Sequence, residues 1–335
     1  MSQDQNLPDS GTHKRLGLVL AGGGGKGAYH IGVWKALKEY GVDKNIGFVS
    51  GTSVGALNGA LFAYGDYNLA EEVWLNISPQ KFLSPEASKI FSALLGMGIP
   101  QIEIAVLASI CQLGVCSREG LLDIINNNLD LSRFSNDIDI KVYAGAYNIS
   151  KLQMDYLPIL GKSPDKIKQI LLASSAMPVI YRPVCVDGNT YIDGGIKNNI
   201  PIQPLAYDDE CRFILAVHLG RSNTIEDEEK YRSIGKKIIE IVPSKNQGDF
   251  LDGTLDFSRE GSKKRIKAGY NDTVQILEPL YKSGELAHRL SETLSGMASR
   301  ERDFDEQHRS NLDRERDVDE EYRQLEIETE RRKGK

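Results

Sequence analysis

The sequence predicts an α/β fold in which three layers, ordered α/β/α, are built around a mainly parallel central sheet. Three observations support this prediction. Short apolar segments alternate along the chain with longer segments of helical periodicity. The run Phe213–Leu219 is almost continuously apolar, which is typical of a strand in a sheet covered on both faces. The chain has 335 residues, of which 40% are hydrophobic, and this suits one large domain with an appendage, or two domains.

A run of glycines joins the first predicted strand to the first helix. Residues Arg15–Ala21 are rich in Leu and Val, and Gly22–Gly27 follows directly. Such a turn exposes successive backbone N–H groups, and the helix N-terminus adds positive potential, so it can bind a phosphate or the oxyanion of an acyl-transfer intermediate. Lys26 adds a charge at the rim; the alternative is a tight turn without a ligand. The following helix has four apolar residues spaced for one buried face: Ile31, Val33, Trp34 and Leu37.

The second strand and the second helix enclose a serine. Ile46–Ser50 predicts a short buried strand, and Val54–Ala63 is small and apolar, as in a helix packed on a sheet. Between them lies Gly51-Thr52-Ser53-Val54-Gly55. A Gly-x-Ser-x-Gly turn in this context is typical of a nucleophile elbow, in which the glycines let backbones approach and the serine oxygen is held at the rim of the sheet. We therefore predict Ser53 as a nucleophile, with a packing turn as the alternative.

The later elements are predicted from periodicity, capping residues and turns. The predicted helices are Asn68–Asn76, much of Pro85–Leu113, a segment capped by Ser117 that ends near Leu129, Asp165–Ser174 behind Ser163 and Pro164, and Ser258–Tyr270. The predicted strands are Lys141–Tyr147 and Leu152–Leu157, which form a candidate hairpin, and Gly235–Val242 is predicted as a passage from helix to strand.

An aspartate turn lies far downstream of the serine. The β-type stretch Tyr191–Asp193 is followed by Gly194 and Gly195, which permit a sharp turn. Asp193 is either a turn-forming residue or a base for Ser53. Of the five histidines, only His218, at the end of a predicted strand, is placed to act as a base, so a Ser–His–Asp triad is an open alternative.

Taken together and in this order, the glycine run, the serine elbow and the aspartate turn resemble the three signatures of the patatin-like phospholipases of bacterial type. The resemblance includes Ala173–Pro178 with Arg182-Pro183-Val184, which precede the aspartate turn, and Asn198–Pro201, which follow it. It covers about residues 15 to 280. One departure is Lys26, which stands where arginine is more frequent and cannot make arginine's bidentate contact.

The resemblance implies a patatin-like fold and a lipid acyl hydrolase with a Ser–Asp dyad and no histidine. Ser53 would attack the ester carbonyl and Asp193 would accept its proton, with no metal and no cofactor. The substrate would be a phospholipid or lysophospholipid. The implied oxyanion hole is the glycine run, with amides around Gly23 and Gly24: Gly22, Gly23, Gly24, Gly25, Lys26 and Gly27. The implied elbow and turn glycines are Gly51, Gly55, Gly194 and Gly195.

Two other functions remain as alternatives. A transacylase would share every step except the acceptor of the acyl group. A nucleotide-binding protein could use the spacing Gly22-x-Gly24-x-x-Gly27, which fits the dinucleotide fingerprint. That fingerprint expects an acidic residue at the end of the next strand, whereas the Ser53 elbow occupies that position and Asp43 comes too early.

Composition restricts the classes of partner and the cellular location that we expect. The formal net charge is −6 with no basic patch interleaved with aromatics, which argues against a nucleic acid polymer as partner. The four cysteines show no zinc or disulfide pattern. The polar N-terminus lacks the apolar core of a signal peptide, so we expect a cytoplasmic protein, peripheral on the inner membrane surface.

Three segments lie outside this core pattern. We expect a disordered tail at 1–14 and, after the catalytic domain at 15–280, a charged helical or disordered tail at 281–335. An oligomerisation helix is the second interpretation of that tail, and a homo-oligomer is an open alternative. Between Ile90 and Ser117 only Glu103 is charged. Glycines and Pro100 interrupt this stretch, which favours a buried helical pair; an apolar cap that shelters an acyl chain or dips into a bilayer surface is its functional interpretation.

Overall fold

The computed structural model describes residues 16–77, 118–178, 181–221 and 224–333. The strands are β1 (Leu16–Leu20), β2 (Ile46–Thr52), β3 (Lys141–Asn148), β4 (Gln153–Pro158), β5 (Val184–Val186), β6 (Asn189–Asp193), β7 (Phe213–Val217) and β8 (Lys237–Ile241). The helices are α1 (Ala28–Glu39), α2 (Val54–Tyr64), α3 (Tyr67–Asn76), α4 (Glu119–Asn128), α5 (Arg133–Asn136), α6 (Pro164–Ser174), α7 (Gln203–Ala206), α8 (Glu228–Ser233) and α9 (Arg259–Lys333). A π-helical turn, Phe250–Thr254, precedes α9.

The strands form one sheet in the order β5-β6-β3-β2-β1-β7-β8, and β4 pairs with β3 beside this path. The pairs β8–β7, β7–β1, β1–β2 and β2–β3 are parallel, whereas β4 and β6 each run antiparallel to β3. The predicted α/β architecture with a mainly parallel central sheet is therefore confirmed. Parallel strands of this kind are buried on both faces, and β2 is buried at every position.

Most of the predicted elements near the glycine run and the serine are present. The four residues assigned to the buried face of α1 are all buried. The hairpin is confirmed as the antiparallel pair β3–β4. In α6, the Ser163 side chain caps the first turn by accepting the Lys166 N–H at 3.4 Å.

The last helix differs from its prediction. Its predicted end at Tyr270 is wrong, because α9 continues to Lys333 through Pro279. The segment after Tyr270 contains isolated breakers but no cluster of them, and a single Pro kinks or weakens a helix without always ending it. The predicted helix within Pro85–Leu113, the Ser117 cap and the apolar stretch Ile90–Ser117 lie outside the described residues. In α4 the described residue that precedes the helix is Arg118.

The chain divides into two compact units after Ile276. The first contains the sheet and the residues discussed below. The second is described as helix as far as Lys333. The domain boundaries at 14 and 280 stay predictions. Among the helices in the described ranges, none combines the length and apolarity that crossing a bilayer requires.

Candidate active site

Ser53 lies in a strained turn between β2 and α2. Its backbone has φ 56° and ψ −124°, a region that non-glycine residues rarely adopt and that costs about 1–3 kcal/mol. The turn is possible only because the flanking backbones touch: a Cβ on Gly55 would lie 2.1 Å from the Leu20 carbonyl oxygen, and one on Gly51 would lie 2.3 Å from the Gly55 backbone. The geometry is that of a nucleophile elbow, and α2 begins directly after the serine.

The register of β3 brings Asp193 to this turn. One edge of β3 is occupied by β4 from Tyr143 to Asn148. Two strands, β2 and β6, pair with successive parts of the opposite edge. The pairing with β2 ends at Thr52↔Gly145, and the pairing with β6 begins at the next residue of β3, with Asp193↔Ala146. The last residue of β2 and the last residue of β6 therefore oppose consecutive positions of the same strand. Ser53, the next residue after β2, lies beside Asp193.

The Asp193 carboxyl group is buried and only partly hydrogen bonded. Asp193 as a whole is 4% exposed to solvent. Oδ1 accepts the Gly195 N–H at 2.7 Å, whereas Oδ2 has no hydrogen-bond partner of standard geometry within the described residues. Burial raises the pKa of Asp193 to about 6, and the Ser53 hydroxyl and the Gly195 amide partly oppose this rise. A carboxylate with one unsatisfied oxygen and a raised pKa can accept a proton from a neighbouring hydroxyl.

Ser174, at the end of α6, fixes the elbow. Its Oγ accepts the Ser53 N–H at 3.0 Å and donates to the Gly145 carbonyl at 2.7 Å. Two residues later, the Ala176 carbonyl accepts the Asp193 N–H at 2.9 Å. The same chain segment thus holds the backbones of both Ser53 and Asp193. Ser174 lies within a segment that the family resemblance includes, but the sequence assigned it no role.

The glycine run begins with a clamped residue. Asn199 Oδ1 accepts the Gly22 N–H at 3.1 Å, and Asn199 Nδ2 donates to the Gly22 carbonyl at 3.1 Å. The Gly22 N–H is therefore engaged, although the predicted oxyanion hole included it. By contrast, the N–H groups of Gly23 and Gly24 donate to no protein acceptor in the described part of the chain. These two amides remain free to bind an anionic oxygen.

Lys26 faces the segment that precedes α9. Its side chain lies beside Gly253, in the π-helical turn. Burial lowers the pKa of Lys26, while the nearby carboxylate of Asp249 opposes that shift. The segment itself is fixed by Arg265, whose guanidinium lies 2.9 Å from the Asp256 carboxylate and donates to the Asp252 carbonyl at 2.7 Å.

An open cleft lies beside Ser53. Among the described residues its wall is almost wholly apolar. It includes Leu57, Trp74, Leu121, Ile124, Met177 and Phe257. The rings of Trp74 and Phe257 stack with their centroids 6.3 Å apart. A cleft of this composition suits a hydrocarbon chain better than a polar ligand.

Asn58 connects the elbow helix to the glycine run and to the cleft. From α2, its Nδ2 donates to the Gly27 carbonyl at 2.9 Å, and its Oδ1 accepts the Trp74 indole N–H at 2.9 Å. The same Nδ2 lies 3.1 Å from Nδ1 of His30, whose pKa burial lowers to about 3, so the ring is neutral. No role for Asn58 was predicted from the sequence, although an amide inside an otherwise apolar helix is a visible signal.

Replacing Asn58 with leucine is expected to destabilise the fold by about 2–4 kcal/mol, because it leaves the Trp74 N–H unpaired in the interior and removes the donor that Gly27 and His30 share. Denaturant unfolding monitored by circular dichroism measures the loss. Asn136→Leu, at an exposed position of α5, is the matched control and should change stability little. Equal stability of the two variants would contradict the role of Asn58.

His218 is not brought to the serine. It follows β7, and its Nε2 lies 2.9 Å from Oε2 of Glu240 on β8. Strand β1 separates β7 from β2 in the sheet. The structure therefore favours the Ser53–Asp193 pair over the triad through His218 that the sequence left open.

Comparison with known proteins places the chain in a family. A family model described as patatin-like phospholipase matches residues 18–206, more than half of the chain and a range that includes Ser53 and Asp193. The lysophospholipase NTE1 of Coccidioides immitis is 29% identical over 189 residues, which are 56% of this chain and 10% of that protein. The patatin-like phospholipase domain-containing protein ZK370.4 of Caenorhabditis elegans is 27% identical over 222 residues, 66% of this chain and 14% of that protein.

The chain thus spans about 10% of the length of the first of these relatives and 14% of the second. Among solved structures, VipD from Legionella pneumophila superposes with a TM-score of 0.46 at 19% identity, covering 79% of this chain and 67% of that chain.

Proposed function

This chain belongs to the patatin-like phospholipase family, and from that premise we propose that it is a lipid acyl hydrolase that cleaves carboxylic ester bonds of phospholipids or lysophospholipids. The observation that supports this most directly is the position of Ser53: it lies beside a buried, incompletely hydrogen-bonded carboxylate and at the wall of an apolar cleft. Nucleophile, base and acyl site therefore occur together in one place.

The first half of the reaction forms an acyl-enzyme. The Ser53 hydroxyl oxygen attacks the ester carbonyl carbon, and its proton passes to Asp193 Oδ2. The negative charge that develops on the carbonyl oxygen is stabilised by the N–H groups of Gly23 and Gly24, at the positive end of the turn leading into α1. The carbon–oxygen bond to the leaving alcohol breaks, and Asp193 returns the proton to that alcohol.

The second half regenerates the enzyme. Asp193, again a carboxylate, removes a proton from water as the water oxygen attacks the acyl carbon. The Ser53–acyl bond breaks, the serine oxygen recovers the proton, and a fatty acid leaves. We assign the oxyanion donors to Gly23 and Gly24 rather than to Gly22, because Asn199 already engages Gly22.

The cleft supports an acyl chain as the recognised part of the substrate. Among the described residues that line it, none is charged and able to pair with a headgroup, so the chain enters the cleft while the polar leaving group remains outside. A substrate of this kind resides in a bilayer or micelle. We therefore propose that the protein works peripherally at a membrane surface.

The test is release of fatty acid from purified substrates by the full-length chain. We expect release from lysophospholipid micelles or phospholipid vesicles, unchanged by excess chelator, and no release from a substrate with ether linkages, which lack the carbonyl. Transfer of the acyl group to a second lysolipid without net fatty acid would instead identify a transacylase. Absence of both products with every ester substrate would refute the proposal.

The pH dependence should report Asp193. The reaction needs the carboxylate form, so kcat/KM for a soluble, non-ionisable ester is expected to rise about tenfold per pH unit below about pH 6 and to level off above it. Because the pKa of Asp193 is raised, the midpoint of this rise in kcat/KM lies above 3.8, the ordinary pKa of an aspartate. Initial rates from about pH 4.5 to 8.5 measure it. A profile that stays flat across the pH 5 to 7 interval would exclude Asp193 as the base.

A further inference from the structure

The second unit has an exposed apolar seam. Along α9 beyond Ile276, positions spaced alternately three and four residues apart hold apolar residues, except for the small polar Ser283; Ala287 is the small apolar member of the series. The large members, Leu280, Leu290, Leu294 and Met297, are between 53% and 65% exposed. Apolar residues at this spacing form one stripe along a helix, and the 4-3 alternation is the pattern of the a and d positions of a coiled coil.

The face opposite the seam carries the exposed Tyr281 and two ion pairs that stabilise the helix. Lys282 pairs with Glu278 at 2.6 Å, and Arg289 lies one turn from its partner Glu285. Both pairs span four residues along the helix, the spacing at which opposite charges stabilise an isolated helix. The helix is thus amphipathic, with a supported outer face and an exposed seam.

The sequence continues the same register to the end of the helix. Counting in sevens from Leu280 as position a assigns later apolar residues to a or d: Phe304, Val318, Tyr322 and Leu325. Polar residue types interrupt the seam between 301 and 315, which lowers the expected affinity of any coiled coil. Leu312 and Ile327 fall outside the register, which is why the apolar series looks irregular until it is counted in sevens.

The flanking positions specify a partner. In a parallel, in-register dimer, each g position faces the e position five residues later on the other copy. By sequence, Arg at 300 and 314 would face Asp at 305 and 319, and Glu at 328 would face Lys at 333; Glu at 321 facing Glu at 326 is the unfavourable exception. Three of these four charged pairs are complementary between identical chains.

From the seam and its flanking charges we propose that two copies of this chain associate through α9 as a parallel coiled-coil dimer. A self-complementary stripe closes on itself under two-fold symmetry and needs no other protein. A lipid surface is the competing occupant of an amphipathic helix. It is disfavoured because acidic residues outnumber basic ones between 277 and 333, whereas helices that lie on anionic membranes are rich in Lys and Arg. The proposal does not depend on the hydrolase activity.

Sedimentation velocity of the full-length chain over a concentration series tests the proposal. We expect a monomer–dimer equilibrium for the wild type, and a dissociation constant raised at least about a hundredfold by the double substitution Leu290→Glu and Leu294→Glu, which places charges in the seam. The control carries the same two charges on the outer face, Ser295→Glu with Ser299→Glu, and should dimerise like the wild type.

Circular dichroism and hydrolysis of a soluble ester verify that each variant is folded. A monomeric wild type, or a seam variant that dimerises as tightly as the control, overturns the proposal. Binding of a monomeric wild type to anionic vesicles would assign the seam to lipid instead and would also overturn it.

Cross-linking tests the parallel orientation independently. In a background with the exposed Cys185 changed to serine, Met297→Cys is expected to form an intermolecular disulfide under mild oxidation, because identical d positions meet across a parallel dimer. Ser299→Cys, on the outer face, should not. Equal cross-linking at the two positions, or none at 297, contradicts the parallel arrangement.

Discussion

Replacing Ser53 with alanine is expected to reduce ester hydrolysis by at least about 10⁴-fold, because no acyl-enzyme can form without the nucleophile. The residual rate would come from the amides of the glycine run and the cleft, which still bind the ester. Fatty acid release measures the loss. A fluorophosphonate, which reacts covalently with activated serines, should give the wild type one adduct, on the peptide that contains Ser53, and should leave the variant unlabelled.

Ser175 provides the matched control. Its side chain also lines the cleft, but its hydroxyl donates to the Leu171 carbonyl at 2.7 Å, and no carboxylate is among its hydrogen-bond partners in the described part of the chain. Ser175→Ala should therefore keep labelling at Ser53 and lose little activity. Labelling of Ser175, or full activity in Ser53→Ala, would show that the strained elbow is not the reacting group.

Replacing Asp193 with asparagine is expected to lower kcat by about 10³-fold or more while leaving the protein folded. The amide keeps the shape of the carboxyl group and can still accept the Gly195 N–H, but it cannot accept the serine proton. Asp187→Asn is the control: this aspartate is exposed, pairs with Lys166 at 2.6 Å, and should affect activity little.

Asp193→Asn should also raise the stability of the fold at alkaline pH. Asp193 has a folded-state pKa of about 6, above its ordinary value of 3.8, so its protonated form is the one that the fold prefers. Its contribution to stability is fully present below about pH 4 and is lost as the pH rises through about 6, to an extent of roughly 3 kcal/mol. Asp193→Asn removes this loss. The melting temperature of the variant should exceed that of the wild type at pH 8, and the difference should shrink by pH 5.

The elbow and the glycine run were predictable because each is local. A strand, a glycine-flanked Ser53 and an apolar helix form one continuous stretch, and the constraint on Gly55 comes from the neighbouring first strand, which the pattern implies. The role of Asp193 was implied by the family resemblance. From the residues alone it remained either a turn former or a base, because its partner depends on how β2 and β6 share one edge of β3.

What the sequence did not predict depends on contacts between distant segments. Asn199 clamps Gly22, and Ser174 holds the Ser53 amide, across separations that no periodicity encodes. The Asn199 contact is the reason why the Gly22 N–H, which was predicted as an oxyanion donor, is already engaged. The length of α9 was missed for another reason: a helix that is amphipathic rather than buried shows a weak apolar signal within any single short window.

The end-to-end placement of β2 and β6 along β3 has a consequence for synthesis and turnover. Neither strand end carries the complete proposed chemistry, and β3 aligns the two by pairing with both along one edge. On the proposed mechanism, a nascent or partly degraded chain that lacks this pairing therefore cannot hydrolyse lipid. Activity would appear only when the sheet is complete and would be lost with it.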